Sequence, residues 1–285
     1  MKTTTQLLDS VRQGISVPEY QSRFSDVTLL SMADDILMAK ICPIIVNINQ
    51  ELMVVTQSVP VTGSTRYLVP SRAMGRSLRY IRYDDKLLSF ISPEDVQIGE
   101  IGTPRAVSFE GECYMPYPTP TTGVMTVAYM ARHSQLVKAD QAALISSVNT
   151  GSNSVLCSNI PSGIVAGVVV DVVGDCQGLD ITVVSVNSNV IELSSLPDGV
   201  KAGSYVCLSG QSATINIPEE LYPALSKGIQ MRILEAQGEI EAYSVTAKEF
   251  MDCLDAGKSL IAPRLVNSIP KMKCSPFYNR SKRWR

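Results

Sequence analysis

His133 is the only histidine in 285 residues, and it closes an apolar run in Tyr-Met-Ala-Arg-His-Ser. One imidazole can move a proton near neutral pH, but it cannot build a metal cluster alone. The seven cysteines (Cys42, Cys113, Cys157, Cys176, Cys207, Cys253 and Cys274) lie far apart and form no C-x-x-C pair, so they offer no ligand set in its place. His133 therefore reads as a polar residue at a strand end. Gly257-Lys258-Ser259 has the look of the end of a phosphate-binding loop. Asp252 and Cys253 stand where that motif needs its first glycine. A helix stop at Gly257, with Lys258 near the negative pole of the dipole, accounts for it better. Neither G-x-S-x-G nor G-x-G-x-x-G occurs. The residues predict no catalytic site, no metal and no cofactor.

Two basic groups remain. Arg72, Arg76, Arg79 and Arg82 stand among Met74, Leu78, Tyr80, Ile81 and Tyr83, and read either as a solvated strand face or as a binding strip. Residues 264–285 carry seven Lys/Arg and no Asp/Glu, which leaves 18 basic against 27 acidic groups, a balance of −9, in the preceding 263. In that segment Lys271, Lys273, Arg280, Lys282, Arg283 and Arg285 are interleaved with Phe277, Tyr278 and Trp284. Such composition fits nucleic acid, and it fits an acidic groove on a protein equally well. Pro263, Pro270 and Pro276 favour an extended path over a helix.

The elements that must position these groups can be read from periodicity. Apolar residues are 45 % and charged residues 18 %, a composition that leans towards burial and suits an oligomer. Dispersed cysteines in apolar runs predict reduced thiols of a cytosolic compartment. The N-terminus lacks the apolar core of a signal peptide. The run from Ile36 to Val55 is broken by Lys40, Pro43, Asn47, Asn49, Gln50 and Glu51, too often for a bilayer span. Residues 3–13 predict a helix stopped at Gly14. Ser25 reads as the N-cap of a second helix carrying Leu29, Leu30, Ala33, Leu37 and Ile41, with a kink or break before Pro43. Ile44-Ile45-Val46-Asn47-Ile48 reads either as core or as subunit interface, and Ile44, Ile45, Ile48 and Leu52, with Arg76 and Arg79, are the candidates for such an interface. Val59–Val61 and Tyr67–Val69 flank Thr-Gly-Ser and read as a hairpin. The strand ending at Tyr83 turns at Asp84-Asp85-Lys86, and Val124–Met130 is a further strand. Residues 139–212 hold short apolar runs separated by Gly, Asn, Ser and Pro-Asp-Gly, the pattern of a small barrel or sandwich. Leu221, Leu225, Ile229 and Ile233 recur every fourth residue, and a second phase follows Gly238, so the stretch from Ile217 to Leu265 predicts two consecutive helices, or one helix broken near Gly238.

These readings assemble into an α+β fold: a helical body made from N- and C-terminal helices, a large inserted antiparallel β region, and an extended C-terminal tail. The expected divisions are 1–58 (first part of the body), 59–138 (strands and hairpins), 139–212 (inserted β domain), 213–263 (C-terminal helices) and 264–285 (basic tail).

The order of these pieces resembles the head-to-tail adaptor, or head completion, proteins of tailed bacteriophages. The resemblance is carried by Phe24-Ser-Asp-Val-Thr-Leu-Leu-Ser-Met-Ala-Asp-Asp-Ile-Leu, Tyr67-Leu-Val-Pro-Ser-Arg-Ala-Met-Gly-Arg-Ser-Leu-Arg, Ala128-Tyr-Met-Ala-Arg-His, Ile217-Pro-Glu-Glu-Leu-Tyr-Pro-Ala-Leu and Ile261-Ala-Pro-Arg-Leu. It spans nearly the whole chain and contains no catalytic signature. It implies a virion protein of the neck, assembled in the host cytoplasm. Its copies would form a ring, typically twelve-fold, beneath the portal protein. The tail (Lys271, Lys273, Phe277, Tyr278, Arg280, Lys282, Arg283, Trp284 and Arg285) would dock on the portal, with a tail or nozzle protein on the other side. DNA would pass through the channel without sequence-specific binding, and no membrane is involved. The alternative is a nucleic-acid-binding module that uses the basic aromatic tail.

Overall fold

A computed structural model describes residues 1–15, 22–95 and 99–262. Helices α1 (Thr4–Ile15), α2 (Asp26–Ile36), α3 (Cys42–Asn49), α4 (Tyr222–Gln237) and α5 (Ile240–Ile261) close one core around Leu7, Leu29, Leu37, Ile45, Leu225 and Ile233. α2 starts where Ser25 accepts a hydrogen bond from the Thr28 amide, which satisfies one of the orphan donors of the first turn. It runs into α3 through one π-helical stretch, Leu37–Ile41, so α2 and α3 act as one long helix. Pro43 does not break it. The wider turn just ahead absorbs the missing N–H and the clash of the ring. Gly14 is no stop either, for α1 continues through it. A Cβ there would stand 1.9 Å from Gln230 Nε2, so this glycine lets α1 approach α4. α4 does end at Gly238, in the left-handed region at φ 78°, and α5 follows it as expected.

The strands form two further units. β1 (Val54–Pro60), β2 (Tyr67–Leu68), β3 (Ala73–Tyr83), β4 (Lys86–Leu87), β5 (Ser89–Phe90), β6 (Ala106–Glu110), β7 (Cys113–Tyr117) and β8 (Val124–Ala131) make two four-stranded sheets, ordered β1-β8-β3-β4 and β2-β7-β6-β5. Their facing sides enclose Ile81, Tyr83, Val107, Tyr114, Met125, Val127 and Tyr129. Alternation along β8 and β1 sends one set of side chains inwards and leaves the other outside. The hairpin expected at 59–69 does not form. β1 pairs with β8, and β2 pairs with β7 in the other sheet. The turn signal at Thr62-Gly63-Ser64 is local and says nothing about partners; here it carries the chain from one sheet to the other.

β9 (Ala143–Asn149), β10 (Ser154–Ser158), β11 (Val169–Val173), β12 (Gly178–Asn187), β13 (Val190–Leu193) and β14 (Tyr205–Leu208) close a barrel in the order β9-β10-β13-β12-β11-β14. Its interior is filled by Ala143, Ile145, Val155, Val170, Val172, Val183, Ile191 and Val206. The interior is thus a packed core with no lumen. Closure leaves no strand edge to guard.

This architecture corrects the expected fold class. The molecule is 37 % helical and 34 % strand, with four helices if α2 and α3 are taken as one. The β residues are divided between a two-sheet unit and a closed barrel, each with a core of its own. The helices are one module among three and not a body that carries a single β insertion. Periodicity identified the strands but could not show which of them share a core.

Two short ladders bind the modules. Lys2–Thr3 pairs with Thr214–Ile215, and Gln135–Leu136 runs parallel to Gln211–Ser212. Beneath them Val137, Ala142, Val173, Cys207 and Ala213 form a small core between the barrel and the segments that enter and leave it.

Candidate functional site

The histidine is built into a joint. β8 ends at Ala131, and His133 folds back so that Nε2 lies 3.3 Å from Oδ1 of Asp34 on α2. The imidazole is 4 % exposed. Both Asp34 oxygens accept from the Leu136 amide, at 3.0 and 3.2 Å. Asp34 thereby ties α2 to the segment leaving β8. Ser134 lines the same 140 Å³ hollow as His133, but no hydrogen bond joins the two, so no nucleophile–base pair is formed. Among the described residues no group of three His, Cys, Asp or Glu side chains could hold a metal ion.

Arg72 proves to be neither a solvated strand residue nor part of a binding strip. It stands one residue before β3 and inserts its guanidinium into the flank of the barrel. Nη1 lies 2.7 Å from Asp171 Oδ2, and Nη2 donates to Asp171 Oδ1 at 2.9 Å and to Ser209 Oγ at 2.8 Å. Asp180 Oδ1 lies 3.1 Å away. Asp171, on β11, is fully buried; its carboxylate also accepts from the amides of Asp180 and Gly210, both at 3.0 Å. Burial pushes the Asp171 carboxyl above the usual range, and Arg72 and the two amides oppose that shift. The cluster fixes the barrel against the two-sheet unit. An isolated sequence gives no sign of it, since Asp171 sits in an apolar run, Val-Val-Val-Asp-Val-Val, where a charge would be paired only by something distant. That anomaly was the one available clue.

The other arginines behave differently. Arg79 forms an ion pair with Glu51, and Arg82 lies over the ring of Tyr80 at 5.0 Å. The side chain of Arg76 lies outside the described residues. Of the apolar interface candidates, Ile45 is withdrawn: it is 1 % exposed and belongs to the helical core. Cys42 and Ile45, three residues apart on α3, share its buried face. Ile44 and Ile48 pack half-buried on the rim of that core. Leu52 is 51 % exposed and stands beside the Glu51–Arg79 pair, where helix and sheet meet. Lys271, Lys273, Phe277, Tyr278, Arg280, Lys282, Arg283, Trp284 and Arg285 all lie outside the described residues.

Apolar surface is more telling. The first ten residues of α5 bury no side chain fully, and Ile240 is 80 % exposed and Val245 60 %. The hairpin of α4 and α5 thus stands away from the core at its tip, carrying uncovered aliphatic groups. No helix among the described residues is long and apolar enough to cross a membrane. The chain matches no protein-family model, and no curated protein matches it in sequence.

Proposed function

We propose that this chain is a structural assembly protein, a head-to-tail adaptor whose copies form a ring joining the portal of a tailed bacteriophage to its tail and continuing the DNA channel. The observation that carries the assembly role is the helical hairpin tip: a helix that extends past its own packing, with Ile240 and Val245 in water, is a surface waiting for a neighbour. The resemblance at residues 24–37, 67–79, 128–133, 217–225 and 261–265 supplies the kind of assembly. The uneven charge supports the direction of docking, a basic aromatic C-terminal segment on a chain that is otherwise acidic. In this reading residues 264–285 attach to the portal protein, and the chain carries out no catalysis.

The test is attachment. Deleting residues 265–285 leaves a folded protein that no longer binds the portal ring of the same virus, as read by co-sedimentation. Unchanged binding of the truncated protein rejects the docking role. Tight DNA binding by the full chain, with log K falling steeply against log salt, would favour the nucleic-acid reading instead.

A further inference from the structure

β1 is an edge strand whose protection is confined to Pro60 at its end. Among the described residues it pairs only with β8. Its sequence, Val-Val-Thr-Gln-Ser-Val-Pro, has no charge and is rich in β-branched residues, whereas edges exposed to water are commonly guarded by Lys, bulges or repeated Pro. The Val61 amide donates to the Gly123 carbonyl at 3.1 Å, and this sets the parity of the ladder. Val55, Gln57 and Val59 turn their backbone groups towards β8, and Thr56 and Ser58 turn theirs away. Neither outward amide has a partner among the described residues. Pro60 falls on the same outward parity, where its missing N–H costs the ladder nothing.

This free edge borders a cleft of about 640 Å³ between the two-sheet unit and the barrel. Thr56, Gln57 and Ser58 form one wall, and Asp180, Leu196 and Asp198 form the other. Among the described residues no Lys or Arg lines it, and its charged lining is Asp180 and Asp198. Arg72, 3.1 Å from Asp180, is shared with the buried Asp171, so the cleft is acidic.

We infer that β1 accepts an added strand, and that the strand is Lys271–Ser275 from a second copy of this chain. Lys-Met-Lys-Cys-Ser alternates basic and apolar residues and lies between Pro270 and Pro276. The prolines bias their preceding residues towards extended backbone and confine the ladder to five residues. Five residues span about 17 Å, the length of Val55–Val59. The charges are complementary: two lysines against a cleft lined by Asp180 and Asp198. Another copy is within reach: α5 ends at Ile261, and residues 263–270, which precede Lys271, span about 27 Å when extended, while copies of the ring lie side by side. The inference rests on the ring reading above, and it leaves Phe277–Arg285 free for the portal. Strand addition supplies main-chain hydrogen bonds between copies, and the lysines set register.

Cross-linking tests it. Thr56→Cys, Gln57→Cys and Ser58→Cys place a thiol on either face of β1, so one of them meets native Cys274 whichever face it occupies. Each variant is oxidised mildly, alone and bound to the portal ring, and run on a denaturing non-reducing gel. Disulfide-linked dimers and longer ladders are expected from at least one variant, and they vanish when Cys274→Ser is added. Absence of a Cys274-dependent link in both settings overturns the inference, as does a link formed only within one chain. Portal attachment is scored separately with Phe277→Ala, Tyr278→Ala and Trp284→Ala. Loss of attachment with the ladder intact keeps the two claims apart. A ladder without any portal binding supports the strand exchange and rejects the docking role.

Discussion

The guanidinium of Arg72 holds two modules together from a site that is 11 % exposed, against a carboxylate with no exposure at all. Taking the cation away leaves Asp171 buried with two amide donors and no charge partner. Arg72→Ala should cost about 3–5 kcal/mol of stability, read by urea unfolding. The pH dependence has a definite sign. A carboxyl raised above its unfolded value binds its proton more tightly in the native state, so its contribution is fully present at low pH and is lost as pH rises through the folded pKa. The loss in Arg72→Ala should therefore be smallest near pH 4 and grow towards neutrality. A loss that is independent of pH would mean that Asp171 is not the group left stranded. Buried thiols give a second prediction. Burial pushes Cys42 and Cys157 up to about 11 and Cys207 up to about 12. At pH 8 these three should resist alkylation until the protein unfolds, while the half-buried Cys113, Cys176 and Cys253 react first. Above about pH 9 the unfolded thiols ionise before the native ones, so stability should fall with further rise in pH. Rapid native-state labelling of Cys207 would contradict its burial between the barrel and its flanking segments.

At the scale of elements, α5 packs closely on the 3₁₀ turn Glu219–Leu221 that leads into α4, because Gly257 permits it. A Cβ there would stand 2.5 Å from Leu221 Cδ2 and 3.0 Å from the Glu220 carbonyl oxygen. Gly257→Ala would ordinarily gain about 1 kcal/mol of helix propensity, but here it should lose about 1–3 kcal/mol through overpacking against backbone; thermal unfolding reads the difference. Gly257 is not the expected stop, for α5 continues to Ile261; a glycine that ends a helix and one that admits a neighbour are the same letter. The same limit applies elsewhere. The apolar runs at 143–148, 155–157 and 181–186 fall on barrel strands, and the turn at Asp84-Asp85 was legible from residue type alone. The partner of each strand was not, since pairing depends on contacts far along the chain. Asp34 and the free edge of β1 are invisible for that reason, Asp171 shows only as a charge within an apolar run, and His133 can be placed at a strand end but not against α2. The barrel offers a test of modularity. Ala143 and Val206 are direct ladder partners, so its two ends are adjacent, and residues 143–208 can be replaced by a short Gly/Ser linker. The remaining helices should still melt cooperatively by circular dichroism, at a lower temperature because Val173 and Cys207 leave the shared core. Loss of all cooperativity would show that helices and barrel fold as one unit.

For the whole molecule, affinity for the portal should reside in aromatic residues and approach in charge. A well-buried ring contributes about 1.5–3 kcal/mol, so Trp284→Ala should weaken attachment tenfold or more. An exposed ion pair contributes up to about 1 kcal/mol. Lys282→Ala should then change mainly the association rate and its salt dependence. The adaptor reading itself is tested most directly by electron microscopy of the purified protein mixed with the portal ring of the same virus. The account predicts a second ring stacked on the portal, present with the full chain and absent when residues 265–285 are deleted. A portal without added density, beside a protein that remains monomeric at every concentration, would contradict it.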